Sequence, residues 1–342
     1  MNINGREINE KNTPLIIAEL GINHGGDIDI AKNMVTLAAS SGAECIKHQT
    51  HFVEDEMTEE AKDIYPPNAT ESIWDVIKKS SLNKDEEIEL KKYTEDLGLI
   101  YISTPFSRAA ADFLNDINIP AFKIGSGEAS NIPLIRHISS FGKPIILSTG
   151  MHSLEQIIEP VNIFKKNKID FALLECTNSY PSPPEIVSLQ GIKDLKKAFP
   201  EAIVGFSDHS IGPYISLGAV ALGACIIERH FTDSRYREGP DISCSMDPLE
   251  LRLLVDRSKE IFTAINNPKE RTLQEEDVYK FARGTIVADR EIKKGTIIAE
   301  KDIWARRPGN GEIAAAFYDN ILGRKTKKDI KYNQQLRWKD LI

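Results

Sequence analysis

The chain has 342 residues, 41% hydrophobic and 27% charged, with a formal net charge of −8. That length accommodates one large domain and a small one, and the composition is that of an ordinary globular protein. The negative balance argues against a nucleic-acid-binding surface as the main function, and no run approaches the roughly 20 apolar residues that span a bilayer.

Short apolar runs that end on polar residues recur along the chain. In order they are 15–18 into Glu19, 45–46 into Lys47 and Gln49, 100–102 into Ser103 and Thr104, and Phe122 and Ile124 around Lys123 into Ser126 and Glu128. They continue as 145–147 into Ser148, 171–174 into Glu175 and Asn178, 203–206 into Ser207, Asp208 and His209, and 225–227 into Glu228 and His230. Parallel strands covered on both faces read in this way.

Helical stripes separate the runs. Ala31, Met34, Val35 and Ala38 form one; Leu90, Tyr93, Thr94 and Leu97 form another, with Thr94 its weak member. A third, Leu154, Ile157, Ile158 and Val161, opens on Ser153 and Gln156 in capping-box spacing. Pro213 starts the helix after the seventh strand. Asp247, Pro248 and Glu250 open the last helix, which carries Leu251, Leu254, Val255 and Phe262 on one side. Eight βα units predict a closed (β/α)8 TIM barrel over residues 1–265. A doubly wound open sheet is the rival, but polar ends on all eight strands favour a barrel, which gathers them on one rim.

Residues 266–282 read as a linker, polar and charged over 266–276. Residues 283–342 read as a small β-rich domain with glycine turns, and 306–311 as a loop, because Pro308, Gly309 and Gly311 break regular structure. The basic residues Arg324, Lys325, Lys327 and Lys328 read as a solvated face. Four cysteines without a Cys-x-x-Cys pair indicate reduced thiols; Cys45, Cys176 and Cys225 fall in or beside strands and Cys244 in a loop. The start, Met1 to Lys11, is polar and lacks the apolar core of a signal peptide, so a cytoplasmic location is expected.

Two histidines, His209 and His230, fall at adjacent strand ends. Neutral imidazoles there can share a divalent metal with open positions, Mn²⁺ or a similar ion, whereas a structural zinc site would need four ligands. Lys47 and Lys123 interrupt apolar strands, where a lysine is costly unless an anion pairs with it. With Thr104, Ser126, Ser148 and Ser207 near, they suggest a phosphate or carboxylate cradle that Gly125, Gly127 and Gly150 let the backbone approach. Glu19 and Glu128 are candidate acid–base groups. Ser207-Asp208-His209 superficially spells a hydrolase triad. Consecutive strand residues point to opposite faces, so these cannot relay to one another.

At these motifs the chain resembles the sialic acid synthase family. The resemblance rests on Glu19-Leu20-Gly21-Ile22-Asn23-His24, Lys47-His48-Gln49-Thr50-His51, Ser103-Thr104-Pro105-Phe106, Lys123-Ile124-Gly125-Ser126-Gly127-Glu128 and Leu147-Ser148-Thr149-Gly150-Met151. Cys176-Thr177-Asn178, Ser207-Asp208-His209, Glu228-Arg229-His230-Phe231, Gly239-Pro240-Asp241 and Arg307-Pro308-Gly309-Asn310-Gly311 extend it nearly to the end of the chain.

The resemblance implies condensation of phosphoenolpyruvate with an N-acetylated hexosamine, giving a nonulosonic acid and phosphate with C–O cleavage. It implies a C-terminal antifreeze-like (SAF) domain that reaches across a domain-swapped homodimer. By the same resemblance, His209 and His230 bind the metal, Mn²⁺ with Mg²⁺ or Co²⁺ as alternatives. Lys47, Thr104, Lys123, Ser126, Ser148, Asn178 and Ser207 hold phosphoenolpyruvate. Glu19, Gln49, Asn68, Glu128, Tyr180 and Asp241 face the sugar or the reacting water, and Arg307 of the second copy reaches the N-acetyl group.

The Lys47–His51 motif leans toward N-acetylmannosamine as acceptor. Two departures point elsewhere: Ala129-Ser130-Asn131 keeps one asparagine where many sialic-type members have two, and Phe281-Ala282-Arg283-Gly284 lacks the aromatic-rich version. The alternative acceptor is the 2,4-diacetamido-6-deoxy sugar of the legionaminic or pseudaminic branches. From other classes, a Schiff-base aldolase would use Lys47 or Lys123. A non-catalytic sugar-binding protein would give no reason for two rim histidines and two buried lysines.

Overall fold

A computed structural model describes residues 1–66 and 70–342. The chain forms two compact units, Met1–Asn266 and Asn267–Ile342. In the first, eight parallel strands close a barrel in the order β8-β1-β2-β3-β4-β5-β6-β7. They are β1 Leu15–Gly21, β2 Cys45–Thr50, β3 Ile100–Pro105 and β4 Phe122–Ile124, then β5 Ile145–Ser148, β6 Phe171–Cys176, β7 Ile203–Asp208 and β8 Ile226–His230. The helix that follows each strand and covers the barrel is, in order, α1 Ile28–Ser40, α2 Lys84–Asp96, α3 Arg108–Asp116 and α4 Ile132–Ser139, then α5 Leu154–Asn167, α6 Gln190–Ala198, α7 Tyr214–Ala221 and α8 Pro248–Ile265; two shorter helices, Val53–Glu56 and Ile73–Ser80, lie between β2 and α2.

Each strand divides its residues between two cores. Outward positions such as Ile16, Ala18, Ile46, Phe122, Leu147, Leu173, Phe206 and Ile227 pack with the helices in one large apolar cluster. Inward positions low in the barrel, including Leu15, Ile17, Cys45, Ile102, Ile146, Leu174 and Ile226, form a second cluster with Ile3 and Ile8 of the N-terminal segment. A short antiparallel ribbon, Asn2–Ile3 with Arg6–Glu7, belongs to that segment. The apolar floor ends where the same inward rows turn polar. Ile17 gives way to Glu19, Cys45 to Lys47 and Gln49, Ile146 to Ser148, and Ile226 to Glu228 and His230. The side-chain period of two makes every second residue of each strand end a rim residue.

That period also corrects the expectation that all the polar strand ends share the rim. Ser103, Glu175 and Asp208 have the outward parity. Ser103 bonds Thr50 at 2.7 Å, and Thr50 bonds Glu87 of α2, all buried under that helix.

The helical stripes need two adjustments. In α2 the buried residues are Glu87, Leu90 and Thr94, whose hydroxyl donates to the Leu90 carbonyl (2.8 Å), while Leu97 is the exposed C-cap. In α5 the buried face is Ile157, Pro160, Val161, Ile163 and Phe164; Leu154 and Ile158 are exposed, so the apolar stripe is rotated toward 160 and 164. The α8 start matches its signals, with Asp247 accepting from the Glu250 N–H at 2.9 Å.

In the second unit, β9 Thr285–Ala288 pairs antiparallel with β10 Ile303–Arg306. Ile286, Ile292, Ile298, Ile303, Ile313, Ile330 and Leu336 form its core. The stretch expected as a linker carries helical turns at Leu273–Glu275 and Glu276–Ala282. All four cysteines are free and buried. Among the described residues no helix is long and apolar enough to cross a membrane.

Candidate active site

The polar inward ends of the strands enclose a cavity of about 230 Å³ at the C-terminal mouth of the barrel. Lys47, Gln49, Thr104, Lys123, Ser126, Ser148, Asn178, Tyr180, Ser207, His209 and His230 line it. Glu228 and Cys176 line it too, although neither was singled out for a role from the sequence. Period-two parity held the signal: Glu228 has the parity of His230, and Cys176 that of Leu174.

Two buried lysines and two buried carboxylates lie at the centre. Lys47 Nζ is 2.8 Å from Glu19 Oε2 and 3.6 Å from Glu228 Oε1, and it donates to Thr104 Oγ1 at 3.1 Å. Lys123 Nζ is 3.5 Å from Glu228 Oε1. Glu228 therefore bridges both ammonium groups, and Ser207 donates to the same oxygen at 3.3 Å. Burial opposes the charge on Lys47, but Glu19 and Glu228 outweigh it and raise its pKa above the ordinary lysine value. For Lys123 burial wins over Glu228, and the pKa falls. Burial likewise works against the Glu228 carboxylate, yet Lys123 and Lys47 hold its pKa below the usual range.

The Ser126 hydroxyl and the Asn178 amide converge because Gly150 leaves them room. A Cβ there would stand 1.9 Å from Asn178 Oδ1 and 2.8 Å from Ser126 Oγ. The Gly150 N–H donates to that Ser126 oxygen at 3.1 Å. Ser148 Oγ and Glu228 Oε2 are buried without a hydrogen-bond partner. Unmet polar atoms on a cavity wall are what a polar ligand would satisfy.

The histidine rings sit side by side, centroids 5.4 Å apart. His209 Nδ1 donates to the Thr177 carbonyl (2.8 Å) in the tautomer that leaves Nε2 with its lone pair. His230 Nδ1 is buried without a hydrogen bond, 3.6 Å from Asp241 Oδ2. Gly21, at φ +54°, makes room for this ring: a Cβ there would be 3.2 Å from His230 Nδ1. Burial lowers both histidines to about 4, so both are neutral donors at physiological pH. Burial pushes Asp241 up to about 6. Tyr180 packs on His209 with centroids 4.1 Å apart. Among the described residues no group of three or more His, Cys, Asp or Glu side chains is arranged around a common ion position. The residues present fit a metal with two imidazole ligands and further positions open to substrate and water.

Among the described residues, Glu19, Glu128 and Asp241 do not line the cavity itself. Glu19 lies behind Lys47 and accepts from Gln49 Nε2 at 2.9 Å. Gln49 Oε1 is 3.2 Å from His51 Nε2, and His51 Nδ1 is 2.8 Å from Glu56, which ties the Gln49 amide to the segment after β2. Glu128 sits in the turn after β4, half-buried, 2.5 Å from Asn131 Nδ2; burial raises its pKa. Asn68 lies outside the described residues. Arg307 is exposed and belongs to the second unit, directly after β10. The triad stays excluded, because Asp208 turns away from His209 to Arg229.

Comparison with known proteins agrees with this geometry. Residues 34–270 match the NeuB family and 283–342 the SAF domain. The chain is 38% identical to N,N'-diacetyllegionaminic acid synthase of Campylobacter jejuni, over 94% of this chain and 98% of that one. It is 34% identical to human N-acetylneuraminate-9-phosphate synthase, over 86% and 83%. A crystal structure of N-acetylneuraminic acid (sialic acid) synthetase from Leptospira borgpetersenii, in complex with citrate, superposes with a TM-score of 0.74 at 33% identity, covering 81% of this chain and 94% of that one. The chain thus belongs to the NeuB family of phosphoenolpyruvate-dependent nonulosonic acid synthases, transferases built here as a TIM barrel with a C-terminal SAF domain.

Proposed function

We propose that this chain condenses phosphoenolpyruvate with N-acetylmannosamine and water to give N-acetylneuraminate and phosphate. The observation that carries the reading is the pair of buried lysines bridged by Glu228 beneath unpartnered Ser148 Oγ, beside two neutral histidines.

In this reading Lys47, Thr104, Lys123, Ser126, Ser148, Asn178 and Ser207 hold the phosphate and carboxylate of phosphoenolpyruvate. A divalent ion on His209 and His230, Mn²⁺ by preference, would supply Lewis-acid polarisation of the open-chain sugar aldehyde. Gln49, Tyr180 and Asp241 face the sugar. C3 of phosphoenolpyruvate forms the new bond to the aldehyde carbon, and water adds at the electron-poor C2. The C2–O bond then breaks and phosphate leaves with the electron pair. The lysines oppose the growing charge; one lost contact of this kind typically costs about 10²–10³ in rate. Glu19 is already engaged by Lys47 and Gln49. Glu128, with its raised pKa and Asn131 as partner, suits the proton of the added water. Arg307 is assigned to the N-acetyl group bound by a second copy in a domain-swapped dimer.

The alternative acceptor, a 2,4-diacetamido-6-deoxyhexose, is favoured by Ala129-Ser130 and by the 38% relative of that specificity. The test is phosphate release from phosphoenolpyruvate with Mn²⁺ and a panel of acetamido sugars, using bridging-¹⁸O substrate. The proposal expects the label in phosphate and the highest kcat/KM with N-acetylmannosamine. A higher value with the diacetamido sugar transfers the assignment to the second reading. Borohydride trapping of a pyruvate adduct on Lys47 or Lys123, without phosphate release, would establish an aldolase instead.

A further inference from the structure

Each histidine assigned to the metal directly follows one member of a buried ion pair on the opposite strand face. Asp208 precedes His209, and Arg229 precedes His230; the register sets Asp208 beside Arg229 on neighbouring strands. Both are 1–2% exposed. Arg229 Nη1 is 3.5 Å from Asp208 Oδ2, and the guanidinium donates to the carbonyls of Ser210 and Gly212. Asp208 accepts from the Ser210 N–H (2.8 Å) and from the Ser216 hydroxyl (2.5 Å) in the first turn of α7. The segment leaving His209 is therefore gripped at two carbonyls, one amide and one hydroxyl. It is also fixed from the loop after β6, since the His209 carbonyl accepts from the Ser182 N–H at 2.9 Å.

We propose that Asp208 and Arg229 form a positioning clamp that sets the separation and tilt of His209 and His230 for a shared divalent cation. The inference rests on the metal assignment above. Inner-face neighbours of a cross-strand pair share its backbone, so a pair locked on the outer face fixes the two rings on the inner face. A buried ion pair is poorly explained by stability, because well-packed apolar residues of similar volume serve as well or better. The planar fork of arginine reaches two carbonyls at once, which a lysine ammonium at the end of a flexible stem does not reproduce. Residues that orient metal ligands from behind typically change affinity about 10–100-fold when replaced.

The test compares wild type, Arg229→Lys and the apolar exchange Asp208→Leu/Arg229→Met. Mn²⁺ affinity is measured by calorimetry, the environment of bound Mn²⁺ by electron paramagnetic resonance, and folding by thermal unfolding. The clamp predicts a folded Arg229→Lys protein with Mn²⁺ affinity about 10–100-fold weaker and a broadened spectrum. It predicts the same weakening in the double variant, which folds with an unfolding midpoint lowered by the bonds lost to Ser210, Gly212 and Ser216. Mn²⁺ affinities within twofold of wild type in folded variants overturn it. Failure of both variants to fold also overturns it, by making the pair a requirement of the fold. Wild-type protein that takes up Mn²⁺ no better than His209→Ala fails the metal assignment itself, a result distinct from unaltered variants.

Discussion

Gly150→Ala separates the geometry of the anion cradle from the stability of the barrel. The glycine has no left-handed φ, so its backbone accepts alanine; what the new Cβ meets is the site. Asn178 Oδ1, at 1.9 Å, would have to retreat by roughly 1.5 Å to reach ordinary contact, and Ser126 Oγ, at 2.8 Å, by roughly half an ångström. Backbone movement offers little relief, because the Cys176 carbonyl stands 3.0 Å away on β6. Both displaced side chains belong to the proposed phosphoenolpyruvate site. A misplacement of about 1 Å can cost about 10²-fold in rate, and loss of a preorganised donor about 10²–10³-fold. The expected loss in kcat/KM for phosphoenolpyruvate is about 10²–10³-fold, or about 3–4 kcal/mol of transition-state stabilisation. One overpacked methyl costs the fold about 1–3 kcal/mol. Phosphate release at varied phosphoenolpyruvate, with thermal unfolding of the same samples, reads both. A kcat/KM within threefold of wild type, or a loss that only tracks the unfolded fraction, would refute the reasoning.

Two further predictions follow from buried charge. Glu228→Gln leaves Lys123 without its 3.5 Å carboxylate and Lys47 with Glu19 alone of its two. Stability should fall by about 3–5 kcal/mol in denaturant titration, and inorganic phosphate should restore more of it than it adds to wild type; equal phosphate effects would contradict the cradle. Glu175, turned outward under α6, is raised to about 7 by burial and then by Asp194. Its folded pKa lies above its unfolded value, so its favourable contribution is full below about pH 4.5 and is lost as pH rises through 7. Glu175→Gln should therefore raise the unfolding midpoint at pH 8 and leave it unchanged or lower at pH 4; a shift of equal size at both would exclude titration of this carboxyl as the cause.

The legibility of this protein differed between rows and partners. Eight apolar runs with polar ends announced the barrel, because burial on both faces leaves a composition mark that needs no knowledge of neighbours. The rim residues Lys47, Thr104, Lys123, Ser148, Ser207 and His230 were legible for the same reason, each being a polar interruption or terminus of an apolar row. Misreadings arose where parity was not applied. Asp208 and Glu175 stood among the polar ends as equals of His209 and Asn178, although a strand sends them to the helices. In α5, Leu154 and Ile158 completed a stripe with Ile157 and Val161 yet are exposed, because a helix with apolar residues on more than one side does not reveal which side the barrel will cover.

What the sequence determined by itself was the kind of fold, the place of the site at the strand ends, and the chemical types gathered there. Those follow from periodicity and from the cost of burying a lone charge. Only the tertiary structure decided who meets whom. Glu228 serves two lysines, Gly150 yields its space to Asn178 and Ser126, and Arg229 grips the loop that carries His209. Such pairings join residues distant in the chain. They are set by barrel closure and strand register, which no local stretch of sequence contains.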